Sequence, residues 1–159
     1  MVKYKSASNS LMDSILLRLP KYPRNTWRYA PEFGYLYIFS IGLGIYKIGR
    51  TNDIYRRYIT HRKTFGGELV AAYVVNDPVD SERQILNIAW SAACKHKTKA
   101  LQALWNSREV FAISLPASLW VHAKMREMRV REEFTSALQG VLRANWGDLA
   151  REEWGVRAV

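Results

Sequence analysis

Arg57 and His61 stand four residues apart in a stretch that reads as a helix, so both side chains leave the same helix face. A guanidinium placed there can clamp a phosphate in a fork, and an imidazole can orient a neighbour or pass a proton near neutral pH. Upstream, Tyr35-Leu-Tyr-Ile-Phe-Ser40 is rich in aromatic and branched residues. Strand alternation puts Tyr35 and Tyr37 on one face of that run and Leu36 and Ile38 on the other. Lys47 and Gly49 share a face of the next run, with Tyr46 turned the opposite way. Such groups suit chemistry at a phosphate ester. It requires a positioned water, an acceptor for its proton, and charge to stabilise the phosphoryl group. Tyr37 or Lys47 could position or deprotonate the water. Free phenol and ammonium groups titrate near ~10, so either needs a lowered pKa to act as a base near neutrality.

The elements that must position these residues follow from local signals. A short helix is expected near Asn9–Leu19, stopped by Pro20, with Pro20, Pro23 and Pro31 marking an irregular arm. The arm carries Arg24, Trp27, Arg28 and Tyr29, which could grip phosphates and stack on bases or simply pack across the core. Tyr35–Ser40 and Ile45–Ile48 are predicted to form an antiparallel hairpin turned by Gly42 and Gly44 and ended by Gly49. Thr51-Asn-Asp53 should cap a helix over Ile54–Arg62, broken by Gly66-Gly67. Leu69–Val75 reads as a third strand, and Val79–Lys95 as a helix capped near Asp80 or Ser81. Lys99–Trp105 is a further helical piece and Glu109–Ile113 a last short strand. From Pro116 the apolar spacing suggests one long helix, then a short one near Asp148–Trp154. The expected fold class is therefore α+β, a small three-stranded antiparallel sheet flanked by helices. It has a basic and aromatic N-terminal arm (1–33), a central domain (34–113) and a C-terminal helical extension (114–159).

The chain carries a formal net charge of +10, which favours a polyanionic partner, nucleic acid first and acidic membrane second. Residues 46–63 hold Lys47, Arg50, Arg56, Arg57, Arg62 and Lys63 against Asp53 alone. Cys94 is the only cysteine, which leaves no disulfide framework and no cysteine-based zinc cluster, and it reads as a small buried apolar residue. No apolar run approaches the ~20 residues of a membrane span. A cytoplasmic location, in a bacterial or phage-infected cell, is the expectation. His96 and His122 are isolated and read as structural or surface residues. Trp90, Trp105, Trp120, Trp146 and Trp154 read as packing anchors.

Gly34-Tyr-Leu-Tyr-Ile, Tyr46-Lys-Ile-Gly-Arg-Thr51, Arg57 and His61, in that order, resemble the pattern of the GIY-YIG nuclease superfamily. Arg108-Glu-Val-Phe111 is similar to an ending seen in a phage-type DNA-binding branch, and Lys47 stands where a tyrosine is usual, as in that branch and in some restriction-enzyme relatives. The resemblance covers residues 34–113. It implies a site of Tyr37, Lys47, Arg57, His61 and Glu82. Glu82, in Asp80-Ser-Glu-Arg-Gln, would hold one Mg²⁺ or Mn²⁺. It also implies double-stranded DNA as partner, gripped by Arg50, Arg56, Arg62 and Lys63 together with Arg24 and Arg28 of the arm.

Taken singly, each residue has a plainer reading. Tyr37 could be a core aromatic, Lys47 an exposed strand residue, Arg57 and His61 a solvated helix face, and Glu82 an acid favoured by the helix dipole. Three functions stay open: a metal-dependent DNA endonuclease, a DNA-binding module without turnover, and an assembly protein that uses residues 116–159.

Overall fold

The structure, a computed structural model, describes residues 7–22, 33–42 and 44–131. Arg24, Arg28 and the other arm residues of 1–6 and 23–32, and the tail from 132 with Trp146 and Trp154, lie outside the described residues.

The element order is α1 (Ala7–Arg18), β1 (Phe33–Gly42), β2 (Ile45–Thr51), α2 (Ile54–Phe65), β3 (Glu68–Asn76), α3 (Pro78–Ala92), α4 (Lys95–Trp105), β4 (Val110–Ala112), α5 (Leu115–Glu127) and β5 (Arg129–Arg131). The architecture is α+β, an antiparallel sheet flanked by helices. The expected three strands are the middle of a five-stranded sheet, order β4-β2-β1-β3-β5. Two short strands extend it, because β4 pairs with β2 and β5 pairs with β3. The long helix expected from Pro116 ends instead at Glu127, where the chain turns to place Arg129 and Arg131 beside Val75 and Val74. Apolar spacing continues past that point, but pairing with an open sheet edge overrides it.

Strand alternation divides the core in two. Leu36, Ile38, Tyr46 and Ile48 pack with Ile85 and Ala89 of α3 and Val121 and Met125 of α5. Tyr35, Tyr37 and Phe39 pack on the other face with Met12 and Leu16 of α1 and Ile54 and Tyr58 of α2.

The helix ends follow local chemistry. Asp53 caps α2 by accepting from the Arg56 amide, and Gly66 ends the helix at φ 73°, a left-handed conformation that suits glycine. β2 runs past Gly49 to Thr51, and α3 is capped by Asp77 rather than by Asp80 or Ser81. Pro78 occupies the first turn of α3, where its missing N–H costs no hydrogen bond. Cys94, expected inside, is exposed ahead of α4.

The outer edge of β4 is closed by α4. Thr98 is fully buried and its Oγ1 accepts from the Ala112 amide at 3.0 Å, while the Cys94 amide donates to the Ala112 carbonyl at 2.8 Å. Replacing Thr98 with valine keeps the shape and removes the acceptor, leaving a buried N–H unpaired. Thr98→Val should therefore lower the unfolding free energy by about 1–3 kcal/mol. Urea denaturation checks this, and an unchanged midpoint would contradict the assignment.

Candidate functional site

Tyr37 lies at the centre of β1, opposite Gly49 on β2 and Ala72 on β3. These two small neighbours leave room for its ring. A Cβ on Gly49 would come within 2.9 Å of the Tyr37 hydroxyl and 3.1 Å of Glu109 Oε2, so this glycine is required by the close approach of both. The Tyr37 hydroxyl shares a 2.7 Å hydrogen bond with His61 Nε2. Burial pushes the Tyr37 phenol well above its ordinary range. Arg57 opposes that shift, and Glu109 and Glu82 add to it. The lowered pKa that a base role needs is therefore not found at Tyr37.

His61 is buried between Tyr37, Phe39 and Phe65, with ring centroids 5.3–5.5 Å away. Burial, with Lys47 and Arg57 nearby, brings its pKa down from 6.5 to about 4, so the ring is neutral at pH 7. The solvated-face reading thus fails for His61. Lys47 is likewise buried, only 7% exposed, and not an ordinary exposed strand residue. Its Nζ forms a short ion pair with Glu109 and donates to Ser107 Oγ at 3.1 Å.

Glu82 does not point into the apolar core. Its carboxylate meets Arg50 Nε at 3.4 Å, and burial followed by Glu109 raises its pKa while Arg50 opposes the rise. The electrostatic coupling of Tyr37, Arg57, Glu82 and Glu109, and of His61 with Lys47 and Arg57, draws these six side chains into one site at the β1–β2 and α2 junction.

Glu109 and Ser107 are the members that sequence reasoning missed. Their signal lies in the pairing of β2 with β4 some sixty positions away, and no local pattern shows it.

The expected Mg²⁺ or Mn²⁺ on Glu82 is overturned. Among the described residues no group of three or more His, Cys, Asp or Glu side chains could hold a metal ion. The two carboxylates of the site are engaged by Arg50 and Lys47.

Of the expected DNA-gripping residues, Arg50 and Arg56 are exposed and Lys63 projects from the last turn of α2. Arg62 donates to the Tyr58 hydroxyl at 3.2 Å and lies over that ring. A groove of about 220 Å³ at the N-terminal half of α2 is lined by Thr51, Asn52, Asp53, Arg56, Arg57 and Thr60. Trp90 packs against the core, but Trp105 is 39% and Trp120 45% exposed, so neither of these two is a buried anchor. Among the described residues no helix is long and apolar enough to cross a membrane. The chain matches no family model, no curated protein and no solved structure.

On the far face of the sheet His122 forms a similar pair, its Nε2 2.6 Å from the Tyr73 hydroxyl, and burial lowers its pKa to about 4. The two histidines give a pH dependence of known sign. In the unfolded chain they titrate near 6.5, in the folded chain near 4. Between those values the unfolded state holds more protons, so their contribution is complete above pH 6.5 and is lost as pH falls toward 4. Each can contribute a slope of up to about 1.4 kcal/mol per pH unit. Urea midpoints across pH 7.5 to 4.5 should fall more steeply for the wild type than for His61→Gln or His122→Gln. Equal slopes in all three proteins would rule the linkage out.

Proposed function

We propose that this chain is a DNA-binding domain of the GIY-YIG type that grips the phosphate backbone through α2. The observation that carries the proposal is the charge of that helix. α2 has four cations and no acid, and among the described residues Arg56, Arg57 and Lys63 have no carboxylate partner. Uncompensated cations along one helix suit a polyanion. The groove beside Arg56 and Arg57 adds Asn52, whose side-chain amide has a second N–H beyond the one given to the Tyr22 carbonyl and can donate it to a phosphate oxygen. The resemblance is supported by the antiparallel β2-β1-β3 centre and by the meeting of Tyr37, Gly49 and His61 in space.

Phosphodiester cleavage is the second reading. It is favoured by the convergence of Tyr37, Lys47, Arg57, His61 and Glu82 on a single site. The burial of Tyr37, 1% exposed, and the commitment of both carboxylates to cations place it behind binding.

Fluorescence anisotropy with a labelled duplex tests the binding reading. Affinity should fall steeply with salt. Arg56→Ala and Arg57→Ala should each weaken it several-fold and flatten the log–log salt dependence by about 0.9. Wild-type affinity and slope in both variants would refute the role of α2. Plasmid DNA incubated with wild type and Arg57→Ala separates the two readings, because nicking that disappears in the variant would move the chain to the enzyme class.

A further inference from the structure

Arg57, His61 and Phe65 are spaced four residues apart and form one stripe along α2. The stripe runs from the groove, through the buried Tyr37–His61 pair, to an aromatic end. There the Phe65 ring meets Trp105 with centroids 4.9 Å apart and planes at 65°. Trp105 closes α4, and the left-handed Asn106 that follows turns the chain into Ser107, the residue that accepts from Lys47. The indole is thus fixed at the rim of the site. It is 39% exposed, beside Leu104 at 75%. A buried packing role does not account for that exposure.

The surroundings specify what an open indole would meet. α2 carries Arg56, Arg57, Arg62 and Lys63 without an acid. α4 carries Lys95, Lys97 and Lys99 without an acid, and Arg108 follows it. The aromatic step is formed by the last residues of two helices of one sign. An apolar protein partner gains nothing from that frame, whereas a nucleobase with its phosphates gains from both parts. The eight helical steps from Arg57 to Phe65 span about 12 Å. That is the rise of roughly three to four nucleotides on one duplex strand.

We propose that Trp105, braced by Phe65, is a stacking platform for an unpaired nucleobase of DNA held by α2, so that the domain prefers DNA containing an unpaired or extruded base over a perfect duplex. This rests on the DNA-binding reading and adds a substrate class to it. At 39% exposure Trp105 keeps part of the indole open to solvent beside its T-shaped contact with Phe65, and base–aromatic stacking tolerates any base identity. The preference is therefore for local structure, with no sequence dependence at this position.

Anisotropy titrations at one salt concentration, with a perfect duplex and the same duplex carrying one central unpaired base, test it. Wild type should bind the second about tenfold more tightly. Trp105→Ala should bind both with the wild-type affinity for the perfect duplex, Trp105→Phe should keep part of the preference, and Leu104→Ala should keep all of it. Equal wild-type affinity for the two DNAs would overturn the proposal while leaving DNA binding in place. So would a preference that survives in Trp105→Ala. Failure of the wild type to bind either DNA would overturn the DNA-binding reading and this inference with it. A Trp105→Ala chain that sediments as a smaller species than wild type, with its DNA preference intact, would assign the indole to a contact between copies of the chain and also overturn it.

Discussion

An ammonium on the inward face of a sheet must find an anion close by, and for Lys47 that anion is Glu109. Much of the arrangement depends on meeting this demand. β2 is a central strand, so Lys47 cannot reach water by swinging past an open edge; its side chain is only 9% exposed. The carboxylate comes from the residue just before β4, whose carbonyl also accepts from the Ile48 amide at 2.9 Å. β4 must therefore lie against β2, and the three residues of that strand are too few to hold there alone. α4 supplies the remainder by packing on its outer edge through Thr98 and the Cys94 amide. Losing Glu109 would strand a buried cation, which costs far more than the pair gains.

The same region shows how one small residue sets a site. With Gly49 on one side and Ala72 on the other, the Tyr37 ring has small neighbours and its hydroxyl reaches His61 on α2. A side chain at position 49 would displace the hydroxyl and crowd Glu109. The imidazole is in turn boxed by Phe39 and Phe65 and stays neutral because burial and two nearby cations disfavour its charge. A neutral, oriented imidazole can hold Tyr37 in place, and it adds nothing to the positive field that α2 presents outward.

Local features were legible in the sequence. Asp53, Gly66, the Gly42–Gly44 turn and the alternation of Tyr35–Ile38 each act within a few residues, and each appears in the fold where its chemistry puts it. Tyr37, Lys47, Arg57 and His61 could be grouped for the same reason, since a hairpin and its following helix bring them together over only 25 positions. What was not legible depends on distant pairing. Glu109 and Ser107 join through β4, and β5 joins through the free edge of β3. The exposure of Trp105 and Trp120 was hidden because a large aromatic in a helix is usually an anchor, and only tertiary packing decides otherwise. The metal role expected of Glu82 was overturned, because residue type alone does not reveal that Arg50 occupies the carboxylate.

This division of charge also explains how a basic domain can keep a buried polar site. The buried Lys47 and the exposed Arg50 engage the two carboxylates, Glu109 and Glu82, that approach the Tyr37–His61 pair. Neither acid remains available to neutralise the helix above them, while Asp53 is turned to the α2 amides and to Lys21. Arg56, Arg57 and Lys63 therefore project a field that the interior does not cancel. Had Glu109 been spent on an α2 arginine, Lys47 would be buried without its carboxylate partner. The pairing that joins β2 to β4 thus also keeps Glu109 from neutralising the cations of α2.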